Sequence, residues 1–146
     1  MERPTPLHLL LTVLAYVVAT FAAQGTSHFA INADYYATIP FMRAEPIVAM
    51  GLTAMIIQGV VFALLFPRFH RGGNALRDAL LLSWAIGAVL TSYVVLGEAG
   101  KYAVPSTGRW ALVELGTAFV QFTLFGVLLG LIHRRGVLRA PAPQAA

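Results

Sequence analysis

Cysteine is absent from these 146 residues, and charge is scarce, with Asp, Glu, Lys and Arg together making up 11% of the chain. Without a thiol there is no disulfide, no thiolate nucleophile and no cysteine-ligated zinc or iron–sulfur centre. A soluble domain carries about one quarter charged residues, so the shortage of charge excludes an ordinary water-exposed fold. Gly-rich phosphate loops are also missing, and Ser27, Ser83 and Ser92 have no base at a convincing spacing, which leaves a serine nucleophile without support.

Apolar sequence takes the place of what is lacking: 58% of residues are hydrophobic and the mean hydropathy is +0.74. Four apolar stretches, residues 7–31, 46–66, 79–99 and 110–132, each approach the ~20 residues needed to cross a ~30 Å hydrocarbon core. None alternates as a barrel strand would. The expected fold is therefore all-α, a polytopic membrane protein built as a four-helix transmembrane bundle. One domain spans residues 1–139, and 140–146 form a disordered Pro/Ala tail. A competing reading makes the first stretch a cleaved signal peptide, but its uncharged run continues to Ala33, longer than a secretory core needs.

Basic residues set the expected orientation. Arg3, Arg68, Arg71, Arg77, Arg134, Arg135 and Arg139 share one side, against Arg43, Lys101 and Arg109 on the other, which places both termini in the cytoplasm and the protein in the inner membrane. The pI near 10 follows from these connections and implies the lipid bilayer as partner, with no nucleic acid. Trp84 and Trp110, with Tyr35, Tyr36, Phe41 and Tyr102, read as interfacial girdles. The external loop 32–45 is expected to lie on the membrane surface rather than fold over the bundle mouth as a cap.

Two patterns concern packing. At a separation of 63 residues Gln58 falls on Gln121, Phe62 on Phe125, His70 on His133, Arg71 on Arg134 and Gly73 on Gly136, as a duplicated helical hairpin would give. Gly126 and Gly130 form a GxxxG pair suited to close helix contact, within the bundle or in a homodimer.

Polar residues inside the spans carry the functional expectation. Tyr16, Thr20, Gln24 and His28 recur every four residues in the first span, and Glu114, Thr117 and Gln121 follow at i, i+3 and i+7 in the fourth. Glu98 ends the third span with Lys101 one turn beyond as its expected partner. Intramembrane carboxylates are expensive and tend to face the bundle interior, so His28, Glu98, Glu114, Gln24, Gln121 and Lys101 form the candidate ligand-binding or proton-coupling set, in a cleft opening outward between spans one, three and four. His28, Glu98 and Glu114 are also weak candidates for a metal site. Catalytic residues and cofactors are not indicated. His8 and His133, on the cytoplasmic side, read as solvated rather than as haem ligands.

Enzyme subunits, assembly factors, exporters and quinone-pathway components share this size and span count. The leading expectation is a structural, accessory or assembly component of a membrane complex, in which Glu98 bonds Lys101 and Glu114 bonds His28 or Arg43. Its alternatives are an outward-facing binding or transport protein, and a metal or acid/base enzyme at the same cluster.

Overall fold

The computed structural model of the chain describes residues 5–43 and 45–134. The all-α expectation holds: four helices are long and apolar enough to cross a membrane, Pro6–Ile31, Val48–Phe69, Ala75–Glu98 and Thr107–Ile132. No strand is present among the described residues. Residues 1–4 and the proposed tail at 140–146 lie outside the described residues.

Local chemistry sets the helix limits. Helix α1 (Pro6–Thr20) starts with the Thr5 hydroxyl accepting from the His8 amide, and Pro6 sits in the first turn, where its missing N–H is harmless. It continues through two wide i→i+5 segments, Phe21–Gly25 and Ser27–Ile31. A short α2 (Ala33–Ala37) follows, then α3 (Val48–Phe69). The Gly72-Gly73 turn is real, with Gly72 in the left-handed region at φ 94°, and it leads into α4 (Ala75–Ser92). The start of α4, four residues earlier than expected, is fixed by Asn74, whose side-chain oxygen accepts from the amides of Leu76 and Arg77. A third wide segment, Tyr93–Glu98, prolongs α4, and Ser106 caps α5 (Thr107–Ile132).

Helix α1 packs on both α3 and α5, and α4 packs mainly on α5, while α3 and α4 touch only sparingly. In cross-section the bundle is a horseshoe, α3-α1-α5-α4, with a gap between its ends. Leu, Ile, Val and Phe side chains cover the outside, including Leu10, Val18, Ile57, Val89, Leu112 and Phe119. Such a surface suits hydrocarbon, where burial of apolar area gives no drive to association and close packing and hydrogen bonds must hold helices together.

The repeated pairs meet face to face. Phe62 and Phe125 are in edge contact at 4.6 Å between centroids, and both touch the Tyr16 ring, at 5.4 and 4.8 Å. His70 and His133 flank Phe66 at 5.5 and 4.8 Å. These two pairs of residues 63 apart thus gather around shared neighbours, Tyr16 and Phe66.

Gly126 and Gly130 are used inside the chain. A Cβ on Gly130 would lie 2.7 Å from Leu76 Cα, and one on Gly126 would lie 3.1 Å from Leu80 Cα and 3.2 Å from Ser83 Cβ. Of the two uses expected for this pair, within the bundle or in a homodimer, the packing within the bundle is present: both glycines lie against α4. We expect Gly130→Ala to destabilise the fold by about 1–3 kcal/mol, because the obstruction is backbone. Gly116→Ala, with nothing within 4 Å, should be close to neutral. Unfolding in mixed micelles measures both, and equal effects would mean that the glycines do not set the α4–α5 distance.

Candidate functional site

The end of the bundle carrying α2 is roofed. Tyr35, Tyr36 and Ile39 are buried against Trp110, so the segment expected on the membrane surface instead covers the bundle mouth. The reason lies in its pattern: the three apolar side chains find a shared hydrophobic seat on α5, which a surface-lying helix of five residues would not give. Trp110, expected in an interfacial girdle, is 1% exposed and donates through Nε1 to the Val94 carbonyl at 3.1 Å. Phe41 and Tyr102 stack at the rim, 4.9 Å between centroids.

Glu114 lies beneath this roof, buried at 7% exposure, and accepts from the Tyr36 hydroxyl at 2.7 Å. Burial, then the Glu114 carboxylate, push the Tyr36 phenol far above its ordinary pKa, so it remains a donor. Its ring stacks on His28 at 3.8 Å and 13°, and His28 in turn donates from Nδ1 to the Gln24 carbonyl at 3.0 Å. The expected partners of Glu114, His28 and Arg43, are thus replaced by a roof residue: His28 reaches the site through Tyr36, and Arg43 is exposed. Arg109 instead covers the Tyr35 ring at 4.5 Å.

A hydrogen-bond chain runs deeper. Gln24 Nε2 donates to Gln121 Oε1 at 2.8 Å, and Gln121 Nε2 reaches Thr20 Oγ1 at 3.0 Å and Tyr16 Oη at 3.3 Å. Tyr16 donates onward to Gln58 Oε1 at 2.5 Å. Thr117 donates to Ser27 Oγ at 2.8 Å, which also receives Asn32 Nδ2 at 3.0 Å. In an α-helix, residues four apart drift by about 40° per step. The wide turns from Phe21 onward rotate less per residue, so Gln24 stays in line with Thr20 while Ser27 swings inward.

Tyr16, Thr20, Gln24, Gln58 and Gln121 of this hydrogen-bond chain line a cavity of about 230 Å³ to which all four spans contribute. Tyr16, Gln24, Thr91, Glu114 and Gln121 supply its polar wall, and Gln58 enters from α3. The expected cleft between spans one, three and four thus gains a fourth wall, and the roof covers the end of its expected outward opening, with Tyr36 bonded to Glu114. Its exposed lining lies on α3, at Gly51 and Ala54, with half-buried Leu90 on α4 and Val94 on the wide segment that prolongs it. The opening is lateral, through the α3–α4 gap.

Of the expected site residues, Gln24, Gln121 and Glu114 converge on this cavity, His28 braces Tyr36, and Glu98 stands outside the lining but within reach of the Glu114 charge. Lys101 does not join Glu98. Its ammonium donates to the Tyr93 hydroxyl at 3.0 Å and lies 4.9 Å from that ring's centroid, because the wide segment carries Tyr93 beneath it. The one ion pair among the described residues is His70–Asp78, at 2.7 Å. No three His, Asp or Glu side chains meet to hold a metal ion among the described residues, so His28, Glu98 and Glu114 are not assembled as ligands. Sequence reasoning missed Gln58, Tyr36 and Ser27 as site residues. Gln58 was findable, as the one amide side chain in the second span.

At the opposite end His8 and His133 are in ring contact at 5.0 Å, and His133 Nε2 lies 3.5 Å from Thr12 Oγ1. Both are expected from the sequence to be solvated, yet His133 is half-buried, wedged between α1 and Phe66. Burial first, then the charges of His8 and His70, push its pKa down from 6.5 to about 4.

The chain matches no protein-family model, no curated protein and no solved structure.

The roof yields one expectation. Tyr36→Phe strips Glu114 of its donor and should cost about 1–3 kcal/mol. Tyr35→Phe removes a buried hydroxyl that has no partner among the described residues and should be neutral or stabilising. Paired unfolding curves decide; equal losses would mean that ring packing alone holds the roof.

His133 yields another. Between its folded and unfolded pKa values the folded state binds fewer protons than the unfolded one, so stability is complete above about pH 6.5 and declines toward pH 4. The melting temperature should fall over that interval and fall less in His133→Leu; an unchanged slope in the variant would assign the dependence to other groups.

Proposed function

We propose that this protein is a membrane-embedded binding protein that takes a small molecule into the cavity at the roofed half of its bundle, with Glu114 as the polar anchor. The observation that carries this reading is the state of Glu114. Only Oε1 is engaged, by Tyr36, while Oε2 has no hydrogen-bond or ion-pair partner among the described residues and the side chain lines the cavity. Oε2 is not sealed in the packing, since the Tyr35 hydroxyl is the one fully buried unpartnered side-chain atom among the described residues. It is therefore open to whatever enters the cavity, and a carboxylate inside a membrane span is expensive unless something answers it. Gln58 Nε2 and the Thr91 hydroxyl face the same space, also without partners among the described residues. A purely structural charge would be expected to close its own hydrogen bonds. The basic-residue bias supports an inner-membrane setting with the termini in the cytoplasm and the roof outside.

One observation favours a second reading, an accessory or assembly component. The half of α3 nearest the roof, from Val48 to Ile57, is exposed along nearly its whole circumference and includes small residues at Gly51 and Ala54, where a partner helix would approach closely. That helix would occupy the gap that a ligand needs, so the two readings compete for one opening.

The natural lack of cysteine makes a direct test simple. In reconstituted protein, Thr91→Cys should react with N-ethylmaleimide at least roughly tenfold faster than Ser83→Cys on the same helix, since the Ser83 side chain is fully buried and donates to the Phe122 carbonyl of α5. Equal protection of both would mean a sealed bundle and would sink the binding reading.

A further inference from the structure

The cavity is selective in both charge and shape, and together these define the chemical class of its ligand. At about 230 Å³ it exceeds the ~150 Å³ that admits a benzene-sized guest. It falls short of the ~300–1,000 Å³ that encloses a drug-sized molecule. It therefore holds a head group, and the remainder of any larger ligand must lie elsewhere. The roof blocks the axial direction, with Tyr36 on Glu114 and Trp110 beneath Tyr35 and Ile39. The lateral direction is apolar: Ala54 and Met55 on one side and Leu90 and Val94 on the other border the route from the α3–α4 gap to Glu114. Nothing within 4 Å of a Cβ would obstruct Gly51 at the edge of that route.

Charge specifies the head. Glu98 and Glu114 are within electrostatic reach of each other, and Lys101 also acts on Glu98 from the exposed rim while bonding Tyr93, but neither Lys101 nor Arg109, which covers the Tyr35 ring, lines the cavity. The site therefore lacks an internal cation among the described residues. Building on the binding reading above, we infer that the ligand is an amphipathic organic cation, a protonated amine on an apolar chain, which enters sideways from the bilayer through the α3–α4 gap. The ammonium sits at Glu114 Oε2, Gln58 Nε2 and Thr91 are free to bond polar groups beside it, and the chain lies in the gap against Met55, Leu90 and Val94.

The full-length Thr91→Cys protein in phosphatidylcholine nanodiscs at neutral pH tests this through protection from N-ethylmaleimide. Three probes separate the components: N,N-dimethyldodecylamine, dodecanol with the same chain and no charge, and N,N-dimethylbutylamine with the same head and a short chain. The dodecylamine is expected to slow alkylation at least about tenfold where the other two change it less than about twofold. Adding Glu114→Gln should remove the difference between the long amine and the alcohol, and adding Gly51→Trp should weaken protection by the long amine. The probe series itself needs neither added substitution, so a folding defect in either leaves the comparison intact. Protection by dodecanol equal to that by the long amine would overturn the cationic head, and equal protection by the short amine would overturn the chain and the lateral route; in both cases the binding reading survives. A thiol at position 91 that reacts but that no probe protects would overturn the ligand class. An unreactive thiol there would overturn the binding reading and this inference together.

Discussion

The Tyr16 hydroxyl is the point on which the bundle depends. It donates to Gln58 on α3 and accepts from Gln121 on α5, so one phenol on α1 ties both neighbouring helices at the depth of the cavity floor. Water is not at hand inside an apolar bundle to satisfy an amide, and each group in this chain holds its neighbour in place by being its partner. Phe62, Phe122 and Phe125 surround the Tyr16 ring, which leaves the hydroxyl a single direction. With α1 joined to α3 and α5 in this way, α4 attaches chiefly through α5, and the horseshoe and its gap follow.

The two ends of the bundle are built on different principles. Away from the roof, contacts are short and backbone-limited: Gly130 against Leu76, Gly126 against Leu80 and Ser83, and the Phe66–His70–His133 stack. Toward the roof, two of the spans widen into i→i+5 turns, α3 stands apart from α4, and a short helix is seated on Trp110 by Tyr35 and Tyr36. Wide turns are rare and collect where a helix must present a particular side chain. Here they present Ser27 to Thr117 and place Tyr93 under Lys101. A firm base beneath a loosely joined mouth is the distribution of stability that a ligand-admitting site requires.

Much of the fold was legible because span length and hydropathy act over twenty residues at a time, and no local detail changes their sum. The polar stripe of α1 and the Glu114–Thr117–Gln121 face of α5 were legible too, since helical period converts spacing directly into direction. What failed involved choice among partners. Lys101 is three residues from Glu98 yet bonds Tyr93, because the helix stops at Glu98 and residues 99–101 form a turn, which removes the helical spacing on which the expectation relied. Segment 32–45 carries apolar side chains that suit either a membrane surface or a bundle mouth, and only the position of Trp110 decides. Gln58 stands out in the sequence as the one amide of the second span and through its repeat with Gln121, but its chemistry depends on Tyr16 lying between α3 and α5, which no spacing reveals.

That symmetry bears on how the cavity arises within the packing. Residues 63 apart on α3 and α5 face Tyr16 from two sides, so Gln58 and Gln121 offer equivalent amides to one hydroxyl. Tyr16 has one proton to donate and donates it to Gln58; Gln121 must therefore act as the donor to Tyr16, and its own oxygen turns to Gln24. The pair is forced into unlike roles by a single hydrogen. Gln121 is thereby drawn fully into the network, while Gln58 engages only its oxygen and leaves its amide protons toward the gap. The asymmetry places unused hydrogen-bonding capacity on α3, the helix bordering the lateral opening, so one buried hydroxyl both fastens the bundle and leaves a donor where an incoming molecule would meet it.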